Sequence, residues 1–304
     1  MATANPSPDE QLAEEVSRFY ADPLGFVLFA YPWGEEGPLK DHDGPDVWQT
    51  KFLQELGEEV ARNGFDGKTP VRPIRRAVSS GHGIGKSTLV AWVVDWIMST
   101  RPHAQGTITA NTFTQLETKT WAALKRWTAL CITGHWFRLS DNRMYHVDHK
   151  DSWFCAPQSS KEENSESFAG QHAADSTSFY VLDEASAIAR AIYEVAEGGL
   201  TDGEPMIFLY GNPTRNSGNF YDAVFGKERV RWNPAVIDSR TSRFTNKLEI
   251  ADWQEAYGED SDFFRVRVRG IAPRANDSQY IDQDRVTEAQ KRIDSVEPLP
   301  HEAL

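Results

Sequence analysis

Ser80-Gly81-His82-Gly83-Ile84-Gly85-Lys86-Ser87 follows a short strand, Arg75 to Val78, and opens a helical stretch that runs to Thr100. Strand, glycine-rich turn, lysine, hydroxyl residue and helix, in that order, form a phosphate-binding loop; here Ser80 stands where the first glycine is usual. Glycines let backbone N–H groups converge on phosphate oxygens, and the helix N-terminus adds partial positive charge. Lys86 then reaches the β- and γ-phosphates, Ser87 offers a hydroxyl to Mg2+, and Thr88 completes the binding stretch. A glycine-rich turn before a lysine also arises by chance, so the strand before it and the helix after it carry the assignment. His82 reads more simply as a solvated loop histidine than as a catalytic one.

Outward from the loop, strands and helices alternate. Thr107–Ala110 reads as a strand, about 114–130 as a helix, and Phe179–Leu182 and Met206–Tyr210 as apolar strands. This alternation predicts an α/β fold with a mostly parallel sheet flanked by helices, whose ligands sit at the carboxyl ends of the strands. Phe179-Tyr180-Val181-Leu182 ends in Asp183-Glu184. Asp183 is placed to hold Mg2+ and Glu184 to orient and deprotonate an attacking water. Met206–Tyr210 ends in Gly211-Asn212-Pro213-Thr214. Asn212 is either a γ-phosphate sensor or part of a plain Asn-Pro turn. Its arrival after the two other motifs favours the sensor.

These residues together resemble the ATPase domain of the large terminase subunit of tailed bacteriophages. Ser80–Ser87 is similar to that family's phosphate loop, Leu182-Asp183-Glu184-Ala185 to its acidic motif, and Gly211–Thr214 to its coupling motif. Trp48-Gln49 resembles the adenine-recognition segment, and 169–173 the stretch ahead of the acidic strand. The resemblance spans about residues 45–275. It implies a RecA-like P-loop NTPase core of the additional-strand, catalytic-glutamate class, and ATP hydrolysis with Mg2+ that moves double-stranded DNA into a procapsid. The implied partners are a portal protein, a small terminase subunit and further copies of this chain in a ring, with a monomer allowed in isolation. The implied location is the host cytoplasm.

Two departures stand out. Many relatives carry an arginine inside the phosphate loop, whereas here Arg75 and Arg76 lie upstream on the strand. Relatives also continue into a nuclease built on an acidic cluster. Asp282, Asp284 and Glu288 are scattered, so nuclease activity is not expected from this chain. The expected organisation is an acidic segment 1–45 packing on the core, an ATPase domain 46–270, and a linker 271–304.

An arginine from a neighbouring copy often completes such a site. Arg215 leads the candidates, ahead of Arg190, Arg138 and Arg143, although a solvated surface arginine is the simpler reading of each. Phe263–Arg269 alternates arginine and valine and reads as a strand, with Arg265, Arg267 and Arg269 on one face. Those guanidinium groups suit either a DNA backbone or an edge strand guarded by charge.

Composition sets the outer limits. The 304 residues carry a net charge of −13, of which residues 1–60 hold −10, leaving a near-neutral body compatible with loose DNA binding. No run of 18 apolar residues exists and no membrane association is expected. Cys131 and Cys155 form no metal-type pair and read as small apolar residues. The competing functions are a helicase-like or other DNA-remodelling ATPase, for which the chain lacks room for a second core, and an ATP-binding assembly protein with little turnover, against which Glu184 argues.

Overall fold

The computed structural model describes residues 6–160, 173–274 and 290. Two short helices, α1 (Pro8–Ser17) and α2 (Pro23–Ala30), lead into α3 (Val47–Asn63). A capping box from Ser7 and Glu10 starts α1, and Asp46 with Gln49 makes another at the start of α3. Then come β1 (Ile74–Ser80), α4 (Lys86–Thr100) and β2 (Gln105–Ala110). The next helix runs in three stretches: α5 (Phe113–Gln115), a π-helical turn at Leu116–Trp121, and α6 (Ala122–Thr128). Three short strands follow, β3 (Phe137–Leu139), β4 (Met144–His146) and β5 (Phe154–Ser159). The chain continues through β6 (Ser178–Leu182), α7 (Arg190–Gly198), β7 (Met206–Gly211), α8 (Asn219–Val224), β8 (Asn233–Ile237), α9 (Lys247–Tyr257) and α10 (Asp262–Phe264).

All eight strands form one sheet in the order β3-β4-β5-β2-β6-β7-β1-β8. The six from β5 to β8 run parallel, and β3 and β4 add an antiparallel arm at one edge. Alternate residues of the central strands face opposite layers. Phe179, Val181, Met206, Phe208 and Tyr210 pack beneath α1 to α4 and α6, whereas Tyr180, Leu182, Ile207 and Leu209 pack against α7 and α8. From Leu89 to Thr100 every residue of α4 is buried, so this helix sits inside its layer. The acidic α1 and the apolar α2 join the same core through Val16, Phe26 and Val27.

The expected strand at Phe263–Arg269 is instead a helix: α10 passes into a π turn at Arg265–Arg269. Ser261 caps its start through Phe264 N, and Gly270, at φ 65°, ends it. Phe264 and Val268, four residues apart, bury together with Ile250 against Trp253. That spacing is helical, and the tertiary contact overrides the local alternation. The three arginines therefore do not line one face: Arg265 bonds Ala272 O and Arg269 pairs with Asp260, whereas Arg267 lies over Phe263 near His82. The acids Asp282, Asp284 and Glu288, and residues 169–172 of the stretch ahead of the acidic strand, lie outside the described residues.

One buried acid gives a pH-dependent stability. Asp95, on α4, accepts hydrogen bonds from Tyr31 and Thr128, yet burial raises its pKa from 3.8 to about 7. Between those values the folded chain keeps a proton that the unfolded chain has lost. Stability therefore falls as pH rises through that window, by up to about 1.4 kcal/mol per pH unit. Asp95→Asn is expected to flatten this slope, which urea melts across the same pH range would measure.

Candidate active site

The phosphate loop is built by close backbone packing. Gly83 and Gly85 take φ of 75° and 86°, conformations that glycine adopts without penalty. Gly81 is required for a different reason. A Cβ there would collide with the Val268 carbonyl oxygen and lie 2.6 Å from that of Arg267. The π turn thus presses against the loop, and His82 N donates to Arg267 O at 2.8 Å. No side chain fits at Gly81 against these backbone atoms. Lys86 Nζ donates to Ser80 Oγ at 2.9 Å and to Gly81 O at 3.2 Å, so it curls back over its own loop.

Burial lowers the Lys86 pKa, and the carboxylates of Asp183 and Glu184 oppose that fall. Partial burial and the cations Lys86 and Arg267 hold His82 down to about 4, so its ring is neutral at pH 7.

The acid pair sits at the end of β6. Asp183 is buried and fixed on three sides: its N–H donates to Thr109 O, its Oδ1 accepts from Glu184 N at 2.9 Å, and its Oδ2 accepts from Thr120 Oγ1. Glu184 takes φ 52° and ψ 39°, a left-handed conformation costing roughly 1–2 kcal/mol in a residue with a side chain. Such strain gathers at functional sites. Burial first, and Asp183 second, raise the Glu184 pKa. At the end of β7, Asn212 Nδ2 donates to Ser80 O at 2.6 Å and ties that strand to the start of the phosphate loop. The loop, the acid pair and Asn212 thus meet at neighbouring strand ends, as expected from their order in the sequence.

Trp48 and Gln49 are also at the site, in a bracing position. Trp48 Nε1 donates to Ile84 O and Gln49 Nε2 to Gly85 O, while Gln49 Oε1 accepts from Asp46 N. Each end of the buried Gln49 amide thereby makes one bond, which fixes the side chain between the α3 cap and the loop. Beside the loop lies an apolar cavity of about 300 Å3, lined by Gly83, Gly85, Thr88, Trp33, Trp92 and Phe244 among others. The buried Trp92 indole N–H has no hydrogen-bond partner.

Arg215 is exposed and lines a separate cavity with Arg190, Glu194 and Arg231, which Ala185 and Ser186 of the turn after Glu184 also border. Arg190 pairs with Glu194, Arg138 is exposed, and Arg143 lies over Phe154. Arg75 and Arg76 are spent structurally, on Glu197 and on Glu55 and Glu59. Thr120, Thr109 and Lys119 are the site residues that sequence reading missed. Lys119 lowers the Glu184 pKa through space.

The donor set suits Mg2+. Ser87 and Asp183 offer hard oxygens, and among the described residues no cluster of three or more metal-type side chains exists. Mg2+ is typically held by one or two protein oxygens together with substrate phosphates.

Strand β7 lies between β1, which carries the loop, and β6, which carries the acids. That inserted strand gives the core a RecA-like α/β arrangement, a mostly parallel sheet flanked by helices, with Glu184 directly after the β6 aspartate. Comparison with known proteins narrows the likeness. The chain is 28% identical over 228 residues to a probable terminase large subunit of Enterobacteria phage P7, covering 71% of this chain and 46% of that protein. In fold it is similar to the large terminase of bacteriophage HK97, with a TM-score of 0.58 at 12% identity, covering 83% of this chain and 55% of that one. It also matches the large terminase of a thermophilic bacteriophage in complex with ADP, with a TM-score of 0.54 at 16% identity, covering 69% and 52%. The chain spans about half the length of these proteins. No family model matches it. Among the described residues, no helix is long and apolar enough to cross a membrane.

Proposed function

We propose that this chain is the ATP-hydrolysing motor part of a viral DNA-packaging terminase. The observation that carries this reading is the convergence of Lys86, Asp183, Glu184 and Asn212 on one set of strand ends, in a fold shared with large terminases. Lys86 and the loop amides bind the phosphates. Ser87 and Asp183 hold Mg2+, which when bound neutralises phosphate charge. Glu184 takes the proton of the attacking water, and Asn212 links the state of the loop to β7.

The base occupies the apolar cavity beside Thr88, where Trp33 and Phe244 offer stacking surface. Trp48 and Gln49 then act by bracing the loop from behind. The expected partners are double-stranded DNA, held transiently through its phosphates, a portal protein, a small terminase subunit, and copies of this chain in a ring within the host cytoplasm. Arg215, exposed beside the Glu184 turn, is our candidate for the residue that enters a neighbour's site.

Phosphate release from MgATP should rise several-fold when linear duplex DNA is added at protein concentrations that drive self-association. An unstimulated rate no higher than that of a Glu184→Gln variant would favour an ATP-binding assembly protein instead.

A further inference from the structure

The π turn at Leu116–Trp121 interrupts an otherwise α-helical run directly opposite the acid pair. Three of its residues are buried: Leu116, Thr120 and Trp121. In an α-helix, Leu116 and Thr120 would share a face, but Trp121 would point about 140° away from Leu116. The wider π turn brings position i+5 back towards position i. All three side chains can then point inwards, with Trp121 Nε1 bonded to Ser140 O and Thr120 Oγ1 bonded to Asp183 Oδ2. Single-turn π segments cost regular helix hydrogen bonding and are frequent at functional sites.

We propose that Thr120 is a positioning residue for the metal-binding acid, held in place by this π turn. The proposal rests on Asp183 being that acid. A carboxylate has about four lone-pair directions. Glu184 N uses one on Oδ1 and the Thr120 hydroxyl one on Oδ2. With Asp183 N fixed to Thr109 O, the plane of the carboxylate is set from both edges. One lone pair on each oxygen is left to face a cation's water shell. Outer-shell donors of this kind fix ligand orientation, and losing one typically costs about 10- to 100-fold in metal affinity.

The test uses the full chain, mant-ADP as probe, and energy transfer from tryptophan as readout. The wild type should bind mant-ADP without metal, and more tightly as Mg2+ is added. Thr120→Val, which keeps the shape but removes the donor, should raise the Mg2+ concentration for half-maximal effect at least about tenfold. Its mant-ADP affinity without Mg2+ should stay within about twofold of wild type, because the loop is untouched. Thr120→Ser, which keeps the hydroxyl, should restore the wild-type Mg2+ response. An unchanged Mg2+ response in Thr120→Val would overturn the proposal. So would loss of folding in both Thr120→Val and Thr120→Ala with Thr120→Ser indistinguishable from wild type in melting but not in Mg2+ response. Failure of the wild type to bind mant-ADP at all would remove the nucleotide site, and this proposal with it.

Discussion

Glu184→Gln should bind MgATP as tightly as the wild type and turn it over at least about a hundredfold more slowly. Positioned general bases contribute about 10²- to 10⁴-fold, and glutamine keeps the size of the side chain while losing its proton affinity. The structure adds two reasons to expect a large effect. The left-handed backbone at Glu184 is costly, and the residue stands at the turn that ends β6, near enough to Lys86 of the loop to feel its charge. Its pKa is raised, by burial and then by Asp183, towards the range in which a base works best near neutral pH. Activity should therefore decline in acid at a pH above that of an ordinary glutamate. Single-turnover phosphate release, beside mant-ADP binding, separates turnover from binding. Equal turnover in the two proteins would show that Glu184 is not the base.

Glu204→Ala should destabilise the fold by about 3–5 kcal/mol, the usual cost of stripping one partner from a buried charge pair. Arg101 and Glu204 are both almost fully buried and meet at 2.7 Å. Glu204 also accepts from Tyr20 and Thr177, and the Arg101 guanidinium lies between the Tyr20 and Trp96 rings, at 3.9 and 4.1 Å. The cluster ties the N-terminal segment to α4 and to the turn before β7. Removing the acid leaves a buried arginine without its counter-charge. Urea unfolding followed by tryptophan fluorescence reads the loss directly, and a shift below about 1 kcal/mol would mean that water compensates the arginine.

Much of this site was legible because its chemistry is written in short local patterns. Ser80–Ser87 and Leu182–Ala185 each combine a strand, a turn and a charged residue within a few positions, and backbone geometry alone brings them to strand ends. Phe263–Arg269 was misread because alternating valine and arginine imitates the strand period. The deciding contact, Phe264 and Val268 against Ile250, comes from a separate helix. Thr120 was invisible for a similar reason. It lies far from Asp183 in the chain, and only the π turn and the packing of the sheet bring them together. Gln49 is legible as a residue of the loop region, whereas its bonds to the α3 helix cap and to the Gly85 carbonyl are not, because they depend on how α3 packs against the loop. The crowding around Gly81 is likewise invisible in the sequence, because it comes from the backbone of the distant π turn at Arg265–Arg269.

The most direct test of the account is a crystal structure of the chain with MgADP. The account predicts the β-phosphate against the loop amides and Lys86 Nζ, the metal between Ser87 and Asp183, and the base in the cavity between Trp33 and Phe244. Nucleotide bound elsewhere at saturating concentration, or a metal that avoids Asp183, would contradict it.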